Sequence, residues 1–156
     1  MLVLGIDPGS RVLGYALLRG QGSALLLEQA GVFRLARYED GYPRWRELFL
    51  GVGDLMKTYS PEQTALEAPF YGRNVQSMLK LGRAQGMVIA ASILHEIPFS
   101  EYSPRQVKKS VTGRGSASKE QVAGMLGRLM KLPSNLPLDA TDAIAVGVCH
   151  LFNTKI

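Results

Sequence analysis

At 156 residues the chain is long enough for one domain with a buried core, and 46% hydrophobic with 20% charged residues excludes an intrinsically disordered polymer. No apolar run reaches the roughly 18 residues that cross a bilayer, and the N-terminus lacks a basic leader region, so a single cytoplasmic domain over 1–156 is expected. The net charge of +5 favours an anionic partner, and the one cysteine, Cys149, rules out a disulfide framework and reads as a buried thiol.

Residues 2–6 form a short apolar run that reads as a strand and ends at the turn Asp7-Pro8-Gly9-Ser10. Residues 11–19 and 24–35 are β-compatible, and Gly20-Gln21-Gly22-Ser23 between them supplies a reverse turn, so three antiparallel strands open the chain. Pro43 then starts a helix whose apolar residues Trp45, Leu48, Phe49, Val52, Leu55 and Met56 recur at steps of three and four. Thr64-Ala65-Leu66 is a buried strand that delivers Glu67 before Pro69 ends it.

Asn74 is placed to cap a helix running to about Ile97, and Gly82, Gly86 and Ala90 give that helix a small-residue stripe. The stripe suits packing on the protein's own sheet and contact with another subunit equally well. A strand at 99–102 precedes a basic segment with Pro104 at a helix start. The Gly/Ser-rich loop 113–118 follows, then a helix from Lys119 to about Lys131 capped by Ser118 and a last helix from about Leu138 to Phe152. This order describes an α/β fold, a mixed sheet covered on both sides.

Of 13 acidic residues, four are placed unlike the rest. Asp7 and Glu67 each end a short apolar strand, where an unpaired charge is costly. Asp139 and Asp142 stand three apart at a helix start and share one face, although Asp139 as a cap and Asp142 as a partner of the helix dipole explain that pair without any site. If all four converge, their repulsion demands a cation. All-oxygen ligands select Mg²⁺, with Mn²⁺ able to substitute, and two ions would suit phosphodiester hydrolysis. His150 is eleven residues past Asp139, about 16 Å along a helix, and is excluded from the same ion; His95 reads as structural.

Between Tyr102 and Lys119 there is no acid, while Arg105, Lys108, Lys109, Arg114 and Lys119 are cationic, which marks a phosphate-contact segment. Walker spacing is absent from the loop 113–119. Phe70 and Tyr71, close behind Glu67 and beside Arg73, are placed to stack on an unpaired base, and burial in the core is the competing reading.

Five motifs occur in register: Gly5-Ile6-Asp7-Pro8-Gly9-Ser10-Arg11 with Gly14-Tyr15, Glu67-Ala68-Pro69-Phe70, Leu79-Lys80-Leu81-Gly82, Arg105-Gln106-Val107-Lys108 and Asp139-Ala140-Thr141-Asp142-Ala143. Together they resemble the RuvC family of bacterial Holliday junction resolvases over nearly the whole chain. The resemblance implies a ribonuclease H-like fold with a mixed five-stranded sheet, a homodimer, and paired Mg²⁺-dependent nicks at symmetric positions of a four-way DNA junction, with RuvA and RuvB as branch-migration partners.

It also assigns metal binding and catalysis to Asp7, Glu67, Asp139 and Asp142, a crossover-side aromatic role to Phe70, and active-region lysines to Lys108 and Lys119. In the family the helix after the catalytic Glu makes the dimer contact. Two positions depart from the pattern: Ala68-Pro69 stand where Gln and a β-branched residue are common, and Asp139 stands where some members have His. An actin-like or sugar-kinase ATPase also begins with an Asp-x-Gly turn but needs a second lobe of similar size. A ribosomal-RNA-processing nuclease and a non-cutting junction-binding module are the remaining rivals.

Overall fold

Chain alternation decides which side of the sheet each residue serves. Strand β1 (Leu2–Asp7) pairs antiparallel with β2 (Val12–Gln21), which pairs antiparallel with β3 (Ala24–Arg34), so the opening three-stranded meander forms as the sequence indicates. Parallel strands β4 (Gln63–Glu67) and β5 (Phe99–Tyr102) extend the other edge, giving the order β3-β2-β1-β4-β5. The computed structural model describes residues 1–69, 72 and 74–154. The expectations placed on Phe70, Tyr71 and Arg73 fall outside the described residues.

Leu2, Leu4 and Ile6 of β1 face a core completed by helices α1 (Tyr42–Tyr59) and α2 (Val75–Leu94). Val3 faces the opposite core, built with α3 (Pro104–Thr112), α4 (Lys119–Leu129) and α5 (Leu138–Asn153). The sheet is therefore covered on both sides, the ribonuclease H-like arrangement that the motifs imply. No helix among the described residues is long and apolar enough to cross a membrane.

Helix α5 is the centre of the second layer, with every residue from Ala143 to Leu151 buried. It lies directly on β1 and β2 because glycines remove the side chains that would hold it off. A Cβ on Gly5 would meet the carbonyl of Ala143 and the backbone of Gly147, and one on Gly14 would meet the carbonyl of Asp139. Cys149 is buried as expected, where burial pushes its thiol pKa up and its Sγ lies 3.2 Å from Ser110 Oγ.

Two helices end earlier than the apolar pattern suggests. The helix expected to reach Ile97 stops at Leu94, because His95 closes it and Glu96 takes a left-handed φ of 57°. Ile97 is apolar because it packs against the α1–α2 core, so its hydrophobicity reports burial and not helix. Likewise α4 ends at Leu129, and Met130 is extended but buried.

Candidate metal centre and nucleic-acid interface

The parity that buries Val3 and Ala65 under α5 also points the ends of their strands the same way. Asp7 is two steps beyond Gly5, and Glu67 two steps beyond Ala65, so both acids leave the sheet on the α5 side. The first turn of α5 brings Asp139 and Asp142 to the same place. Its N-cap is Pro137, with no side-chain cap hydrogen bond, so Asp139 is not spent on capping.

Carboxylate oxygens of Asp7, Asp139 and Asp142 all lie within 4.8 Å of one another. Glu67 stands beside this trio, close enough for its charge to act on Asp7 and for Asp142 to act on it. Burial first, then the charges of Glu67, Asp142 and Asp139, pushes the Asp7 pKa up to about 8 against the pull of Lys119. Burial and Asp142 push Glu67 up as well, partly offset by Asp7, Lys119 and Lys108. Without a cation, this cluster holds a proton where an isolated aspartate would hold none.

Three close carboxylate oxygens with a fourth acid alongside fit a hard divalent ion. No other group of three such ligands occurs among the described residues. His150 is remote in role as well as in sequence. It is buried, with Nδ1 3.0 Å from the Tyr102 hydroxyl and its pKa lowered by burial.

Beside the acids opens a cleft of about 750 Å³, with Glu67 and Asp142 on one side and Arg105, Lys108 and Lys119 among its other lining residues. Reciprocal capping boxes fix both helices that carry these cations: Ser103 with Gln106 at α3, Ser118 with Gln121 at α4. Lys119 Nζ is 3.4 Å from Asp142 Oδ2, and the acids raise its pKa, Asp142 foremost. The lysine head is 72% exposed, so the pair adds little stability and stays available to an incoming phosphate.

The basic segment thus divides in space. Arg105 and Lys108 share a helical face toward the acids, whereas the exposed Lys109 does not line the cleft. Arg114, beyond the left-handed turn at Gly113, lies in a separate groove with Gln121 and Arg128. One contributor escaped the sequence reading: buried Gln85 of α2 donates its Nε2 to the Glu67 carbonyl at 2.8 Å and anchors the end of β4. A glutamine on the buried face of an apolar helix, in step with Ala84, Val88 and Ala91, was the available signal.

The family model for RuvC, crossover junction endodeoxyribonuclease, matches residues 3–150. The chain belongs to the RuvC family. A crossover junction endodeoxyribonuclease RuvC of Porphyromonas gingivalis is 46% identical over 99% of this chain and 83% of its own length. One of Cytophaga hutchinsonii is 50% identical over 97% of this chain and 76% of its own. Among solved structures, Thermus thermophilus RuvC in complex with a Holliday junction substrate superposes with a TM-score of 0.88 at 30% identity, covering 97% of this chain and 93% of that one. The chain is accordingly a nuclease of this family, with the family's fold and a cluster of acids able to hold metal.

Proposed function

We propose that this chain resolves Holliday junctions by paired symmetric nicks, with Asp7, Glu67, Asp139 and Asp142 holding two Mg²⁺ ions. The observation that carries the reading is the meeting of the strand-end and helix-start carboxylates beside a cation-lined cleft. When bound, the ions supply charge neutralisation, activation of water and stabilisation of the departing oxygen. The protein's own residues do the rest. Arg105, Lys108 and Lys119 draw the scissile strand into the cleft, and Lys119, beside Asp142, neutralises phosphate charge next to the acids. Phe70 and Arg73, following Glu67, complete the DNA contacts at the crossover in this reading, with Lys109 and Arg114 as outlying phosphate contacts.

Pairing of the nicks requires two centres, and α2 offers the surface for a second copy of the chain. Val75, Leu79, Ile93 and Leu94 are 59–65% exposed on it, and a Cβ at Gly82 or Gly86 would meet nothing within 4 Å. The small-residue stripe is therefore not used for packing on the protein's own sheet. Leu79→Glu with Ile93→Glu is expected to convert a dimer to monomers at micromolar concentration by light scattering and to uncouple the two nicks. An unchanged dimer would remove α2 from the interface. A single nuclease domain over 1–156, a cytoplasmic location and cooperation with RuvA and RuvB belong to the same reading.

The activity test compares a labelled four-way junction, a linear duplex and a structured RNA, each with and without Mg²⁺. Symmetric nicks in the junction alone, restored by Mn²⁺, are expected. Preferential cutting of RNA would transfer the chain to RNA processing, and binding without nicks in any divalent ion would make it a binding module.

A further inference from the structure

The acids lie between two groups of cations, and only the group on α3 and α4 is absorbed by the reading above. The other is at the opposite flank of the same sheet end. Arg11 follows the turn after β1, Arg34 ends β3, and Arg37 ends the single 3₁₀ turn Leu35–Arg37. Far apart in sequence, they are joined by backbone: Val12 is the register partner of Arg34, and the Arg11 carbonyl accepts from the amides of Leu35 and Ala36 at 2.8 and 2.9 Å. All three are exposed, and none has an ion pair among the described residues. Of the two acids that follow Arg37, Glu39 forms no ion pair among the described residues, and Asp40 is engaged by Arg44 and Lys80.

Register locates this group against the acids. Asp7 pairs with Gly14, and Gly14 with Val32, so Arg34 is two strands across from Asp7 and two residues farther out. That is about 10 Å across, at ~4.8 Å per strand, and about 7 Å outward, at ~3.3 Å per residue. With one strand charge for every ~3.4 Å of duplex axis, an offset of this size keeps Arg34 within a few phosphates of a strand held at the acids. Arg37 uses Nε on the Arg34 carbonyl at 3.2 Å, which orients its guanidinium and leaves the terminal nitrogens without a protein partner among the described residues.

We infer that Arg11, Arg34 and Arg37 form a second phosphate track, which holds the DNA backbone on the β3 side of the acids while Lys108 and Lys119 hold it on the α4 side. The inference rests on the junction-nuclease reading and extends it. With phosphate contacts on both flanks, the strand crosses the acids under restraint from two sides and its scissile phosphate is set in register. Free arginine forks suit phosphate oxygens, and such contacts position DNA without reading its sequence.

The test measures junction affinity against salt in an Asp7→Asn background, which keeps the DNA intact. Arg11→Gln, Arg34→Gln and Arg37→Gln together are expected to flatten the log–log salt slope by about 2.7 per protomer, at ~0.9 for each phosphate that is no longer neutralised. Arg19→Gln, Lys57→Gln and Lys131→Gln, which remove the same charge away from the acids, are expected to leave the slope unchanged. Thermal melts verify that both triple variants fold. An unchanged slope in the first set, or an equal change in both, overturns the track. Salt-dependent binding by the parent reports separately on the junction reading; a parent that does not bind overturns both.

Discussion

Asp7→Asn is expected to lower junction nicking about a thousandfold or more while leaving junction binding within about twofold. The amide keeps the shape of the carboxyl but removes the charge of the strand-end member of the trio, whose oxygens lie within 4.8 Å of those of Asp139 and Asp142. Binding survives because the cations lining the cleft are untouched. Nicking at the wild-type rate would show that Asp7 holds no essential ion.

The same substitution has a pH signature in metal-free protein. The Asp7 pKa is about 8 in the folded chain and returns toward 3.8 on unfolding. Between those values the folded state retains a proton that the unfolded state has lost. Stability is then fully present below about pH 4 and declines as pH rises toward 8, by at most about 1.4 kcal/mol per pH unit from this group. Glu67, also raised, acts in the same direction. In EDTA, melts from pH 5 to 8 are expected to fall steeply for the wild type and less steeply for Asp7→Asn, with the variant melting higher at pH 8. Mg²⁺ is expected to raise the melting temperature of the wild type at pH 8 far more than that of the variant. Parallel pH curves in EDTA would contradict the buried acidic cluster.

Gly14→Ala tests how the centre is held together. Its added methyl would collide with the Asp139 carbonyl, and backbone on both sides leaves nothing flexible to yield. We expect a loss of about 1–3 kcal/mol in stability together with weakened Mg²⁺ binding, because α5 must lift and carry Asp139 and Asp142 away from Asp7. Gly127→Ala provides the contrast, since a Cβ there meets nothing within 4 Å. In the interior of α4 it should stabilise by about 0.5–1 kcal/mol. Denaturant melts and metal titration of the two variants measure both effects, and equal behaviour would mean that α5 is not seated through glycine.

What sequence makes legible here is local chemistry. Glu67 could be placed because a three-residue apolar run and Pro69 leave little choice for its strand, and Ser118 because a capping residue is recognised by its neighbours. Contacts between distant segments were not legible. Gly5 and Gly14 read as strand residues, and only α5 lying across them explains why no side chain is tolerated. The run from Arg105 to Lys119 reads as one basic segment, yet helix geometry sends Arg105, Lys108 and Lys119 into the cleft and Arg114 into another groove. Arg11 and Arg34 are 23 positions apart and become neighbours through strand register alone. The meeting of Asp7 and Glu67 with the α5 acids was implied by family motifs, while strand parity supplies its physical cause.

The central claim is that these acids hold the metal ions of the reaction, and anomalous scattering from crystals grown with Mn²⁺ tests it most directly. A peak enclosed by Asp7, Asp139 and Asp142, with Glu67 beside it, is the predicted result. Manganese bound only elsewhere, with the Lys119 ammonium filling the space between the acids, would contradict it.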